Sequence, residues 1–311
     1  MSQIYALTNI TENIASLIKS ILQGDRKALA GAITLVENEL DGSELLLKSM
    51  KAKDIPIIGF TGPPGAGKST LINALLRKII SENKKAAIVA VDPTSPFNLG
   101  SLLGDRLRMS EHFNNEKIFI RSMATRGSLG GLTEKIIEVC DLLRTADFDF
   151  IIIETVGVGQ SEVEIAGLAD TTVVILVPES GDDIQALKSG IMEIADIFVV
   201  NKSDREGASL FANNLKTILS HKTVSGWEVP VLNTIATSGH GINELYETVL
   251  QHRISQGFNE KKIFLLVEKA FRLISIKRMN GLGKQEIRQM LEKEAQMSDF
   301  NLYRFVEQFK N

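Results

Sequence analysis

The sequence predicts an α/β protein built on a mostly parallel, doubly wound sheet with helices on both faces. Three observations lead there. From Ile55 onward short apolar runs alternate with helical stretches, the texture of strand–helix–strand units. Several of the runs are apolar on both faces, as in strands covered from both sides. The glycine-rich segment Gly62-Pro63-Pro64-Gly65-Ala66-Gly67-Lys68-Ser69 stands between one such run and a helical pattern. Composition agrees: 311 residues, 44% hydrophobic, 23% charged, net charge −3. Near-balanced charge excludes wholesale disorder and a nucleic-acid binder relying on a strong positive field.

Residues 1–50 read as an N-terminal helical extension of two packed helices. Ile14, Leu17, Ile18, Ile21 and Leu22 share one face of the first. Gly24 stops it, Asp25 is placed to cap the second, and Leu29, Ile33, Val36 and Leu40 continue at helical spacing. Residues 51–256 form the sheet domain. Its expected strands are Ile55–Phe60, Ala86–Val91, Ile118–Ile120, Phe150–Ile153, Thr172–Val177, Ile197–Val200 and Val229–Leu232. Residues 257–311 read as a C-terminal helical extension, with Ile263, Leu266, Val267, Ala270, Phe271 and Ile274 on one face. That stripe packs on its own domain or serves an oligomer interface; the pattern does not decide. The longest apolar runs are too short to span a bilayer, and Met1–Ile10 lacks the build of a signal peptide. The single cysteine, Cys140, permits no intrachain disulfide and no Cys/His zinc cluster, and its apolar neighbours make it a core residue. A protein of a reducing, cytoplasmic-type compartment is expected.

The glycine-rich segment matches the P-loop pattern in full, with a strand before and a helix after, so the fold is that of a P-loop NTPase. Its glycines turn backbone N–H groups toward phosphate oxygens, aided by the helix N-terminus. Lys68 is expected to reach the β/γ-phosphates and Ser69 to ligate Mg²⁺; Thr70 completes the segment.

Asn201-Lys202-Ser203-Asp204 follows the strand Ile197–Val200 and has the Asn-Lys-x-Asp form of a guanine site. A carboxylate at Asp204 accepts from guanine N1–H and the exocyclic amine. Adenine offers no such donor pair, and sites of this kind discriminate by roughly 10⁴–10⁵. Asn201 would brace the loop and Lys202 lie along the base. Thr234-Ile235-Ala236 is a candidate second base loop through the Ala236 N–H.

Glu154 ends the strand Phe150–Ile153, where a carboxylate can orient Mg²⁺ or its water. Gly157, in Glu154-Thr155-Val156-Gly157, can sense the γ-phosphate. Asp92 and Asp105 are further candidate metal acids. The candidate catalytic residues are Lys68, Glu154, Gln160 and Lys188, with Lys188 and Arg126 considered for an arginine-finger-like role. The four histidines share no metal-ligand spacing, so surface or capping positions are expected for them. Trp227 reads as loop packing.

These motifs, with Gly-Asp-Arg-x-Ala-Leu-Ala at 24–30, Val-Asp-Pro-Thr-Ser at 91–95, Leu-Gly-Asp-Arg-x-Arg-Met at 103–109, Arg-Gly-x-Leu-Gly-Gly-Leu at 126–132 and Gly-Asp-x-x-Gln at 181–185, form one combination. It resembles the MeaB/ArgK GTPases, the group with the human methylmalonic aciduria type A protein, over residues 14–255. The resemblance implies a GTP-hydrolysing chaperone of an adenosylcobalamin-dependent acyl-CoA mutase, methylmalonyl-CoA mutase foremost, cycling GTP and GDP with Mg²⁺. It implies an adenosyltransferase as a further partner, a homodimer as a possible state, and no nucleic acid or membrane. On this chain it maps nucleotide and Mg²⁺ positions to Lys68, Ser69, Asp92, Asp105 and Glu154. Guanine positions map to Asn201, Lys202 and Asp204, and a third-switch lysine to Lys188. The tail from Gly281 to Asn311 does not align with the arm by which many members dimerise. Two alternatives stand beside this reading. One is a P-loop kinase acting on a metabolite or protein. The other is a GTP-regulated metal or cofactor insertase, disfavoured by the missing Cys/His ligands.

Overall fold

The computed structural model describes residues 2–92, 109–124, 133–155, 161–179, 192–220, 223–224, 226–255, 260–279 and 284–294. By contacts the chain divides into two compact units, Met1–Lys262 and Ile263–Asn311.

The first unit is organised by a parallel sheet. Its strands are β1 (Ile57–Thr61), β2 (Ala86–Asp92), β3 (Ile118–Ala124), β4 (Phe150–Glu154), β5 (Thr171–Leu176), β6 (Ile197–Asn201) and β9 (Val231–Thr234). They lie side by side in the order β3-β2-β4-β1-β5-β6-β9 among the described residues. A two-residue antiparallel pair, β7 (Thr223–Val224) with β8 (Trp227–Glu228), precedes the last strand. The strand at the head of the P-loop is central, between β4 and β5. Every residue of β1, β4, β5 and β6 is buried, as a sheet covered on both faces requires.

On one face Ile58, Phe60, Ile88, Ile152, Val173 and Ile175 pack against Leu71, Leu75 and Leu76 of α4 (Lys68–Ser81). Leu245 and Val249 of a later helix, α8 (Ile242–Ser255), join them. On the other face Val174, Leu176, Phe198 and Val200 meet Phe211 and Leu215 of α7 (Ala208–Leu219). Gly59 of β1 admits close helix packing: a Cβ there would sit 2.5 Å from Ile165 in α6 (Ser161–Leu168).

The N-terminal extension holds three helices, not the two expected: α1 (Ser2–Leu22), α2 (Arg26–Glu37) and α3 (Ser43–Ser49). Asp25 caps α2 as its position suggested, accepting from Lys27 N at 2.8 Å and Ala28 N at 3.1 Å. The second helix stops early because Glu39 and Gly42 adopt left-handed conformations, φ 51° and 93°. Arg26 donates to Asn115 O and Ile118 O at the amino end of β3, and Arg121 pairs with Glu37. These bonds hold α2 along the edge strand. Against it lies α5 (Ile136–Leu143), where Cys140 is buried and its thiol pKa is pushed up by burial.

Strand ends differ from expectation by small, explicable steps. The last strand starts at Val231, because Pro230 has no N–H for the ladder. β3, expected over Ile118–Ile120, runs on to Ala124 through the polar Arg121 and Ser122. The sequence placed the histidines at the surface or at caps; His112 and His252 are instead buried. His252 Nδ1 lies 2.8 Å from Thr171 Oγ1, and its ring meets Trp227 edge-on at 4.9 Å.

The second unit contains most of α9 (Glu260–Arg278) and all of α10 (Lys284–Glu294). Phe264, Val267, Phe271 and Ile274 are exposed. Among the described residues no helix is long and apolar enough to cross a membrane.

Candidate nucleotide site

β1 leads into the P-loop, and α4 leaves it. Gly62 has φ 143°, and a side chain there would overlap the carbonyl oxygen of Ile175 in β5. Gly67, φ 87°, is the residue before α4, and a Cβ on it would sit 2.5 Å from Asn201 Nδ2. Both positions demand glycine, the first through backbone contact and the second through contact with the Asn201 side chain. The first turn of α4 has no acidic residue. The partial positive charge of its N-terminus is therefore left for an anion.

Lys68 is buried, and its ammonium donates to Gly62 O at 2.8 Å and Pro63 O at 3.2 Å. Ser69, also buried, donates from Oγ to Glu154 Oε1 at 2.7 Å. Glu154 is the last residue of β4, and the register sets it beside Phe60 of β1 and Ala90 of β2. The sheet thus brings together a hydroxyl and a carboxylate that are 85 residues apart. Two hard oxygen donors at the mouth of a phosphate loop fit a Mg²⁺ that keeps several of its waters. Among the described residues no group of three or more His, Cys, Asp or Glu could hold a metal, so a cation here would need phosphate or water oxygens as well.

The Asn-Lys-x-Asp loop is fastened to the same turn. Asn201, the last residue of β6, donates from Nδ2 to Ala66 O at 2.9 Å. Its Oδ1 accepts from Thr234 Oγ1 at 3.1 Å and from Ala236 N at 3.2 Å. The Ala236 N–H, expected to face the base, is here directed at Asn201. Lys202 adopts φ 57° and donates to Gly65 O at 2.8 Å, spanning from one motif to the other. Asp204 is exposed.

Asp92 ends β2, in register with Ala124 of β3. Asp105, Arg126, Gly157, Gln160 and Lys188 lie outside the described residues. The sequence reading passed over Thr61 and Thr155, two buried threonines beside the site. The signal for them was their position, one just before the P-loop glycine and one just after the acid.

The site and the parallel sheet define a P-loop GTPase, with a phosphate turn and an Asn-Lys-x-Asp loop bonded together. Comparison with known proteins narrows the class. The family model "Methylmalonyl Co-A mutase-associated GTPase MeaB" matches residues 29–263, and the chain belongs to that family. It is 46% identical over 246 residues to a GTPase of Pyrococcus horikoshii, covering 77% of this chain and 78% of that one. GTPase ArgK of Escherichia coli is 36% identical over 251 residues, 77% of this chain and 76% of its own. The mouse methylmalonic aciduria type A homolog, mitochondrial, is 36% identical over 263 residues, 76% of this chain and 63% of its own. A crystal structure described as LAO/AO transport system kinase superposes with TM-score 0.70 at 26% identity, covering 96% of each chain.

Proposed function

We propose that the protein is a Mg²⁺-dependent GTPase that serves as chaperone to an adenosylcobalamin-dependent acyl-CoA mutase, methylmalonyl-CoA mutase first among them. The observation that carries it is the Ser69–Glu154 hydrogen bond at the P-loop, on a chain whose family is named for its association with that mutase.

In this reading Ser69 and Glu154 would hold the cation, with Asp92 and Asp105 near it. Bound Mg²⁺ supplies neutralisation of charge developing on the phosphate oxygens. Lys68 exchanges Gly62 O and Pro63 O for the β/γ-phosphates. Backbone N–H groups of the loop and the start of α4 hold the remaining oxygens. Asp204 selects guanine, Asn201 and Lys202 keep the base loop on the P-loop, and Gly157 and Gln160 belong to the switch after Glu154. Lys188 is the residue a partner would bring to the γ-phosphate. A reducing, cytoplasmic-type setting with an adenosyltransferase as further partner completes the reading.

The test is hydrolysis of GTP and ATP with Mg²⁺, alone and with methylmalonyl-CoA mutase. GTP-selective turnover that rises with the mutase is expected, and Lys188→Ala should remove the rise while nucleotide binding stays. Turnover indifferent to the mutase rejects that partner. The likeness to a structure described as a kinase favours one second reading, phosphoryl transfer. Labelled γ-phosphate found on anything but water would establish it.

A further inference from the structure

β1 and β4 run side by side, Gly59 in register with Ile153 and Phe60 with Glu154. Just past these pairs stand two threonines, Thr61 before the P-loop and Thr155 after the acid. Both are buried, at 0% and 1% exposure. Thr155 N donates to Phe60 O at 3.1 Å. The Thr155 hydroxyl lies 3.0 Å from Thr61 Oγ1 and 3.3 Å from Phe60 O. Burial alone would favour an apolar side chain at both places. A hydroxyl inside a core is costly unless bonded. Here the Thr155 hydroxyl is bonded to that of Thr61, which adds one rung to the ladder between the start of the P-loop and the end of the acid strand.

We propose that Thr61 and Thr155 are positioning residues. Their paired hydroxyls tie the start of the P-loop to the end of the acid strand, and so hold Glu154 where it meets Ser69. Loss of the tie lets the carboxylate drift from the hydroxyl, and the effect is read in cation affinity before nucleotide affinity. The inference rests on Ser69 and Glu154 as the cation site.

The experiment titrates Mg²⁺ against the full chain loaded with a fluorescent GDP analogue, reading the slowing of nucleotide release, with GTP turnover measured in parallel. Thr155→Val keeps the shape and removes the hydroxyl. It should raise the half-maximal Mg²⁺ about five- to tenfold, the weight of one buried hydrogen bond, and leave Mg²⁺-free nucleotide affinity unchanged. Thr155→Ser should restore wild-type values. Thr61→Val should match Thr155→Val, and the double variant should be no worse than either. An unchanged Mg²⁺ requirement in Thr155→Val overturns the inference, as does a Thr155→Ser defect equal to that of valine, or additive single effects. If Thr155→Val does not fold, Thr61→Val decides by the same titration. Glu154→Gln separates the two levels. If it leaves the Mg²⁺ requirement unchanged, the cation-site reading fails and the tie falls with it. If it shifts the requirement and Thr155→Val does not, only the tie fails.

Discussion

At the amino ends of its strands the sheet is closed by carboxylates; at the carboxyl ends β1 and β6 lead into the P-loop and the Asn-Lys-x-Asp loop. The closure is one device used three times. Asp149, Asp170 and Asp196 each stand just before a strand, and each binds the neighbouring strand twice. Asp149 donates its N–H to Lys85 O and accepts Lys85 N at 2.8 Å. Asp170 does the same with Ile57 O and Ile57 N at 2.8 Å. Asp196 does so with Thr172 O and Thr172 N at 2.7 Å. The backbone N–H groups of Lys85, Ile57 and Thr172 thereby gain a charged acceptor. Around them gather Arg144 and Lys262 on Asp170, Lys84 on Asp149, and His252 with Trp227 beside Asp196. At the opposite edge Lys68, Asn201 and Lys202 bond to P-loop carbonyls. A lysine on a carbonyl can move to a phosphate, whereas an aspartate bonded to strand N–H groups has nothing better to reach. One edge is built for permanence and the other for exchange.

That comparison breaks or sharpens by substitution. The largest effect is expected at Asp204. Asp204→Asn should lower GTP-over-ATP selectivity by about 10³ or more with an unchanged melting temperature, checked by competition binding and calorimetry. Retained selectivity would remove Asp204 from base recognition.

Asp170→Ala should do the reverse. It removes the carboxylate shared by Arg144, Lys262 and the Ile57 N–H, at a cost of about 3 kcal/mol in urea unfolding. GTP turnover per folded molecule should be unaltered. Asp149→Ala, on a more exposed pair, should cost about 1 kcal/mol by the same measurement.

The smallest expected effect is a pH dependence. Burial holds the His252 pKa below its ordinary value, with Asp196 opposing in part. The folded state keeps the ring neutral, while the unfolded chain takes up a proton near pH 6.5. Stability is therefore full above about pH 6.5 and falls as pH drops from there toward the depressed folded value. The slope from this one group is at most about 1.4 kcal/mol per pH unit. His252→Gln should flatten that part of a stability profile measured by urea unfolding between pH 5 and 7. A profile identical to wild type would show that His252 titrates alike in both states.

The sequence by itself determined the sheet, because buried parallel strands must be apolar on both faces and turn residues must separate them. It also determined the two nucleotide motifs, since a phosphate turn needs glycine at Gly62 and Gly67 and an Asn-Lys-x-Asp loop needs its spacing. Only the tertiary structure decided which chemistry meets which. The Ser69 hydroxyl finds Glu154 because β1 and β4 are neighbours, and Asn201 reaches Ala66 because β6 ends near the P-loop turn. No local pattern announces that Thr61 and Thr155 share a hydrogen bond or that His252 is buried. Partners distant in sequence are chosen by strand order and register, and those follow from the packing of the whole core.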